Sequence, residues 1–188
     1  MSTTVIQWAK AVLTALGKAT DSDIKTEDDN LTAMCIWAQW EGGGINNTAK
    51  NNVLNTTEQG FSEEMLDGLP AYPTLVDGIN ATVATLTQRQ YESIVRSLKN
   101  SELVSATLQA VQVSPWSANH YYGRLTDTVY SEEFAAKDVS TDTLTAVVAP
   151  VPVVVPVVSL SGSTLPKVTG TCTISLNGKE YSVTVTEI

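Results

Sequence analysis

Two cysteines and one histidine in 188 residues leave little material for a metal centre or a disulfide framework. Cys35 and Cys172 lie far apart, and neither belongs to a Cys-x-x-Cys pair. His120 has no Cys or Ser at a recognisable catalytic position, which argues against a hydrolytic triad. No metal and no cofactor are expected. Basic residues are scarce as well: 11 Lys and Arg stand against 20 Asp and Glu, a formal net charge of -9. A chain so acidic lacks the attraction to phosphate on which nucleic-acid binding depends, so no nucleic-acid partner is expected. Long apolar runs are missing too. The longest, Ala146 to Val158, is broken by Pro150, Pro152 and Pro156 and falls well short of the ~20 residues of a membrane-spanning helix, so no membrane anchor is expected. The opening MSTTVIQWAKAVLTALGKA has no basic start, no continuous apolar stretch and no small-residue cleavage site. It does not read as a signal peptide.

What the sequence does contain is 43% apolar residues, enough for a buried core. The charge sits almost entirely before residue 143, because the last stretch balances Lys167 and Lys179 against Glu180 and Glu187. Val5, Trp8, Ala9, Val12, Leu13 and Leu16 recur at helical spacing and stop at Gly17. Thr26 is a candidate cap for a second helix through LTAMCIWAQWE, which must stop at Gly42-Gly43-Gly44. An Asn/Thr/Gly-rich stretch from Ile45 to Pro73 reads as one long loop, and loops of that length are usually functional. Thr74, with Asp77 at the capping-box distance, starts a helix carrying Leu75, Ile79, Val83 and Leu86. Another follows through Tyr91, Ile94, Val95 and Leu98, and Ser101 opens one with Leu103, Leu108 and Val111 inward. Residues 1–142 thus read as an all-helical domain of five or six helices. Repeated prolines make 143–163 a stiff connector. In 164–188, alternating runs on either side of Asn177-Gly178 predict a β-hairpin with a type I′ turn, too small to be stable alone. The fold class is mainly α, with a Pro/Val-rich connector and a small C-terminal β element.

Glu41 is the candidate catalytic residue. It ends an apolar helix beside Trp37 and Trp40 and precedes three glycines. The negative end of a helix and apolar neighbours both disfavour an ionised carboxylate, and a carboxyl that keeps its proton is what protonating a glycosidic oxygen requires. After Glu41 come NNVLNTT at 51–57, AYPTLVDGINATVATL at 71–86, Tyr91, and SPWSANHYY at 114–122. This ordered set resembles the lysozyme-like peptidoglycan hydrolases of bacteriophages and, more loosely, the bacterial glucosaminidases of the same superfamily.

The resemblance implies a lysozyme-like helical domain with Glu41 as general acid. It makes Asn51, Asn52, Asn55 and Thr56 candidates for contacts to sugar acetamido groups, and Tyr72, Tyr91 and Trp116 candidates for the lining of a glycan groove. A second carboxylate could come from Glu58, Glu63, Glu64, Asp67 or Asp77. The implied substrate is the peptidoglycan glycan strand. The implied location is the virion, or the host cytoplasm before release to the wall, and the C-terminal β element would attach the chain to other virion proteins. The competing expectation is a virion structural protein that keeps the lysozyme-like fold with little or no activity, since a strongly acidic domain is repelled by an anionic wall.

Overall fold

The first helix forms where the apolar spacing places it. α1 (Val5–Ala15) buries Val5, Trp8, Ala9, Val12 and Leu13 completely. Gln7 Oε1 accepts the backbone N–H of Thr4 at 2.9 Å, which satisfies a donor that the helix start would leave open. These coordinates come from a computed structural model that describes residues 2–17, 28–42, 45, 48–62, 64–117, 121–144, 170–176 and 179–185.

α2 (Asp29–Glu41) is the central helix. Leu31, Ala33, Met34, Cys35, Ile36, Trp37 and Ala38 are all buried, so apolar side chains surround it nearly all round, as expected of a helix in the middle of a core. It begins with Asp28 in the cap position, later than a cap at Thr26 implies, and Thr26 itself lies outside the described residues. The buried Asn30 fastens its first turn: Nδ2 donates to the Leu98 carbonyl at 3.2 Å, and Oδ1 accepts from Leu31 N–H at 2.9 Å. The helix ends at Gly42, which takes φ 61° and donates its N–H to the Ala38 carbonyl at 2.8 Å. A glycine suits that left-handed turn because a Cβ would be strained there.

The stretch from 45 to 73 is more than a loop. β2 (Glu64–Leu66) pairs antiparallel with β3 (Leu69–Ala71) around Asp67 and Gly68, both at positive φ. β1 (Thr3–Thr4) likewise pairs with β4 (Asp138–Ser140). The expectation of an all-helical domain over residues 1–142 is therefore corrected to a mainly helical one with two small strand pairs. Strands of two or three residues are too short to show an alternating pattern.

α3 (Leu75–Leu86) starts as expected. Asp77 N–H donates to Thr74 Oγ1 at 3.2 Å, and Asp77 Oδ2 accepts the Thr74 N–H at 3.2 Å. A 3-10 turn at Arg89–Tyr91 leads into α4 (Glu92–Asn100), followed by α5 (Val104–Gln112). Here a second correction arises. Ser101 closes α4 in a left-handed conformation (φ 50°) and does not open α5, and Leu103 is 69% exposed, not inward. The inward stripe of α5 is Thr107, Leu108 and Val111. A second 3-10 turn, Leu125–Asp127, and the four-residue α6 (Glu132–Ala135) follow. α1 packs on α2 and α3, and α5 packs on α2 and α4.

The chain divides into two compact units, Met1–Val151 and Pro152–Ile188. In the second, β5 (Gly170–Leu176) and β6 (Lys179–Val185) form an antiparallel hairpin whose register sets Cys172 opposite Val183 and Ile174 opposite Tyr181. That register requires a two-residue connection, as the Asn177-Gly178 signal implies; residues 177 and 178, Val168 and most of the 143–163 connector lie outside the described residues.

α3 meets the loop at one tight point. A Cβ on Gly78 would lie 1.7 Å from the Asn51 carbonyl oxygen and 3.3 Å from the Tyr72 ring. Glycine to alanine inside a helix normally stabilises by about 1 kcal/mol. Here the sign reverses: Gly78→Ala should destabilise by about 3 kcal/mol, the upper range for overpacking, measured by urea unfolding.

Candidate functional site

Glu41 takes its position from the abrupt end of α2. Its carboxylate oxygen Oε1 accepts from Trp116 Nε1 at 3.1 Å and from the hydroxyl of Tyr121. The same hydroxyl accepts from Trp37 Nε1 at 2.8 Å, so Trp37, Tyr121 and Glu41 form one chain of donors ending on the carboxylate. The surroundings are aromatic. Trp116 meets Trp37 edge-on at 4.8 Å between ring centroids and Tyr91 at 5.4 Å, and Trp40 meets Tyr121 at 5.8 Å, all within the range of favourable edge-to-face pairs. Glu41 and Trp116 are half-buried.

From the loop, Asn55 reaches back to the same helix end. Its Nδ2 donates to the Glu41 carbonyl at 2.7 Å and approaches Oε2 at 3.4 Å. Asn55 is at φ 51°, a conformation that asparagine tolerates better than most residues. Asn55 thereby satisfies a carbonyl that the helix end leaves open while lying against the carboxylate.

Of the residues expected to contact sugar, the structure brings Asn55 and Trp116 onto the Glu41 carboxyl, while Tyr91 is buried and packs against the Trp116 ring. The structure does not bring Asn51, Asn52, Thr56 or Tyr72 there, because their polar groups are engaged within the loop. Asn51 Nδ2 donates to the Tyr72 carbonyl at 2.9 Å. Asn52 is fully buried: Nδ2 donates to the Thr56 and Pro70 carbonyls, both at 2.9 Å, and Oδ1 accepts from Thr56 N–H at 2.8 Å. Thr56 shares a hydrogen bond with Thr85 at 2.5 Å. Tyr72 is buried and donates its hydroxyl to the Glu58 carbonyl at 2.6 Å. These four build the frame that presents Asn55. Buried polar groups need partners, and a long loop has many backbone groups to supply them.

The candidate second carboxylates are dispersed. Asp77 caps α3, and Asp67 accepts from Thr48 Oγ1 at 2.5 Å beside the β2–β3 turn. Glu58 Oε1 accepts from Gly60 N–H at 2.8 Å, Glu64 is exposed on β2, and Glu63 lies outside the described residues. Among the described residues no cluster of three or more His, Cys, Asp or Glu side chains is placed to hold a metal ion, and no helix is long and apolar enough to cross a membrane. His120 lies outside the described residues.

Tyr121 is the residue that reading the sequence missed as a site residue. It sits 80 positions from Glu41, and its only local signal is the Tyr-Tyr pair that closes SPWSANHYY. Compared with known proteins, the chain matches no family model, no curated protein and no solved structure.

Burial, the Glu41 charge and the hydrogen bond to Glu41 all push the Tyr121 phenol above its ordinary pKa, against a smaller downward pull from Trp37. Burial and then the Glu58 charge push Tyr72 up as well. Burial pushes the Cys35 thiol up to about 12. A proton held more tightly in the folded state stabilises it fully below the unfolded pKa, about 8.5 for the thiol and about 10 for tyrosine. That contribution is lost as pH rises further, so unfolding free energy measured in urea should be flat to about pH 8 and fall above it. Tyr72→Phe and Tyr121→Phe should each flatten the part of the fall above about pH 10. Tyr121→Phe should also cost about 1–3 kcal/mol at neutral pH, because it leaves the buried Trp37 Nε1 without its acceptor.

Proposed function

We propose that the first unit is a peptidoglycan glycosidase of the lysozyme-like kind, a muramidase or glucosaminidase encoded by a bacteriophage, with Glu41 as its general acid. The observation that supports this reading is the placement of the Glu41 carboxyl at the end of α2, held by Trp116 and Tyr121 on one oxygen and flanked by Asn55 on the other. Two donors on Oε1 and the Asn55 amide near Oε2 hold the carboxyl in place at the helix end. Proton donation to the glycosidic oxygen neutralises the charge that develops on the leaving group as the bond breaks. Orientation of the carboxyl before the reaction removes part of the entropic cost of reaching that geometry. The sugar-contacting residues in this reading are Asn55 and Trp116, with Tyr91 supporting the Trp116 ring.

A second reading is a virion structural protein with the same fold and little or no activity. The formal charge of -9 favours it, because an anionic wall repels an acidic domain at low salt. One experiment separates the two: lysis of purified cell walls by the wild type and by Glu41→Gln. The amide keeps the shape of the side chain and cannot donate the acidic proton. Under the glycosidase reading Glu41→Gln abolishes lysis while circular dichroism stays unchanged; equal lysis by the two proteins, or none by the wild type, rejects it.

The second unit suits attachment to other virion proteins. A two-stranded ribbon is marginal in water by itself, and its outer edges carry backbone groups that a further strand can pair with. Deletion of residues 152–188 should leave a helix-dominated circular dichroism spectrum and prevent incorporation into particles. Unimpaired incorporation of the shortened chain would place the attachment surface in the first unit.

A further inference from the structure

A polar cavity of about 420 Å³ opens where β4 passes the loop after α2, lined among others by Thr48, Lys50, Asn51, Asp138 and Ser140. Its volume lies at the lower end of small-molecule sites, about 300–1,000 Å³. None of the side chains that hold the Glu41 carboxyl lines it. The backbone on both sides is fixed by hydrogen bonds. On one side the Lys50 carbonyl accepts the Tyr72 N–H at 3.0 Å, and Asn51 Nδ2 donates to the Tyr72 carbonyl at 2.9 Å. On the other, Asp138 and Ser140 are held in register opposite Thr4 and Thr3 of β1.

Opposite charges therefore line one cavity from separate segments without meeting. Lys50 and Asp138 are both exposed, and neither makes an ion pair among the described residues. The carboxylates nearby are engaged elsewhere: Asp67 accepts from Thr48 Oγ1, and Asp142 accepts the Leu75 N–H. Asn51 adds a third group. The residue is only 2% exposed and its Nδ2 serves the Tyr72 and Pro73 carbonyls, yet its Oδ1 makes no hydrogen bond among the described residues and is not sealed from solvent. A nearly buried amide oxygen normally has a donor, and the open space that Asn51 lines is this cavity. The three groups ask for a ligand that carries both charges. A lone anion is repelled by a chain of formal charge -9, and a lone cation meets the Lys50 ammonium. A molecule with a carboxylate at one end and an ammonium at the other satisfies all three groups, and its net charge of zero leaves it outside that repulsion.

We infer that this cavity binds a small zwitterion of the amino-acid type, a free amino acid or a dipeptide, with its carboxylate on Lys50 and its ammonium shared between Asp138 and Asn51 Oδ1. The site is independent of the chemistry at Glu41 and goes beyond the glycosidase reading: it stands or falls without regard to wall lysis.

The test titrates the full-length protein by calorimetry at low ionic strength with L-alanine, L-alanyl-L-alanine and two blocked dipeptides. N-acetyl-alanyl-alanine keeps only the carboxylate, and alanyl-alanine amide keeps only the ammonium. The better of the two zwitterions should bind about tenfold tighter than either blocked form, the effect of losing one charge-assisted contact. Lys50→Gln should raise its Kd about tenfold and erase the preference over the amide. Asp138→Asn should raise it likewise and erase the preference over the acetylated form. A structural role for either residue does not produce that crossed pattern. Arg96→Gln, which removes an exposed cation on α4, should leave every Kd unchanged. Tighter binding of alanine supports the inference with a free amino acid as the ligand, and tighter binding of the dipeptide supports it with a short peptide. Equal binding of the acetylated form and the zwitterion overturns it in favour of an anion site on Lys50. Equal binding of the amide overturns it in favour of a cation site on Asp138. Absence of binding by both zwitterions, or a Kd that neither variant changes, overturns it outright.

Discussion

One phenol hydroxyl ties the site to the core. Tyr121 accepts from Trp37 in the middle of α2 and donates to Glu41 at its end, so a segment far along the chain is fastened to the central helix at two points one helical turn apart. The buried indole N–H needs an acceptor and the carboxylate needs donors. One group answers both needs only because a hydroxyl can accept and donate at once. Phenylalanine would fill the same space and serve neither. Trp116 reinforces the arrangement by donating to the same oxygen and packing edge-on against Trp37 and Tyr91.

The loop after α2 meets a different constraint. It runs through the interior at Ala49, Asn51, Asn52, Val53 and Leu54, all buried, and so carries backbone groups where water cannot satisfy them. Asparagine and threonine supply the missing partners, with Asn52 alone making three hydrogen bonds. The close approach at Gly78 lets α3 lie directly on this backbone. An Asn/Thr-rich composition that suggests contacts to sugar is, for Asn51, Asn52 and Thr56, the composition of a loop that satisfies itself. Asn55 is the exception, because its amide leaves the loop for the helix end.

The parts of the fold that were legible in the sequence are those with local causes. α1 follows from apolar spacing, the start of α3 from Thr74 and Asp77, the end of α2 from Gly42, and the C-terminal hairpin from alternation around Asn177-Gly178. The β2–β3 pair carried the same kind of signal in Asp67-Gly68, but its three-residue strands hid it. Ser101 misled because serine is a good N-cap, while a left-handed residue that ends a helix is more often glycine. In the site, Glu41 was legible because helix, aromatics and glycines are adjacent in sequence. Tyr121 was not, since its role exists only once residues 80 positions apart are brought together.

The end of the first unit is likewise a matter of long-range fastening. Asp142 accepts the Leu75 N–H at 2.9 Å on its side chain, while its carbonyl accepts from Thr3 Oγ1 at 2.6 Å. A carboxylate at that position completes the N-terminus of α3, where Asp77 already lies and the helix dipole favours negative charge. The β1–β4 pair and the Val5 N–H donated to the Lys137 carbonyl at 2.9 Å close the same seam. The last acidic residue before the long uncharged stretch is thus the one that joins three separate segments. The shift in composition after residue 142 has a physical counterpart: Asp142 is a position at which the helical fold still uses a carboxylate.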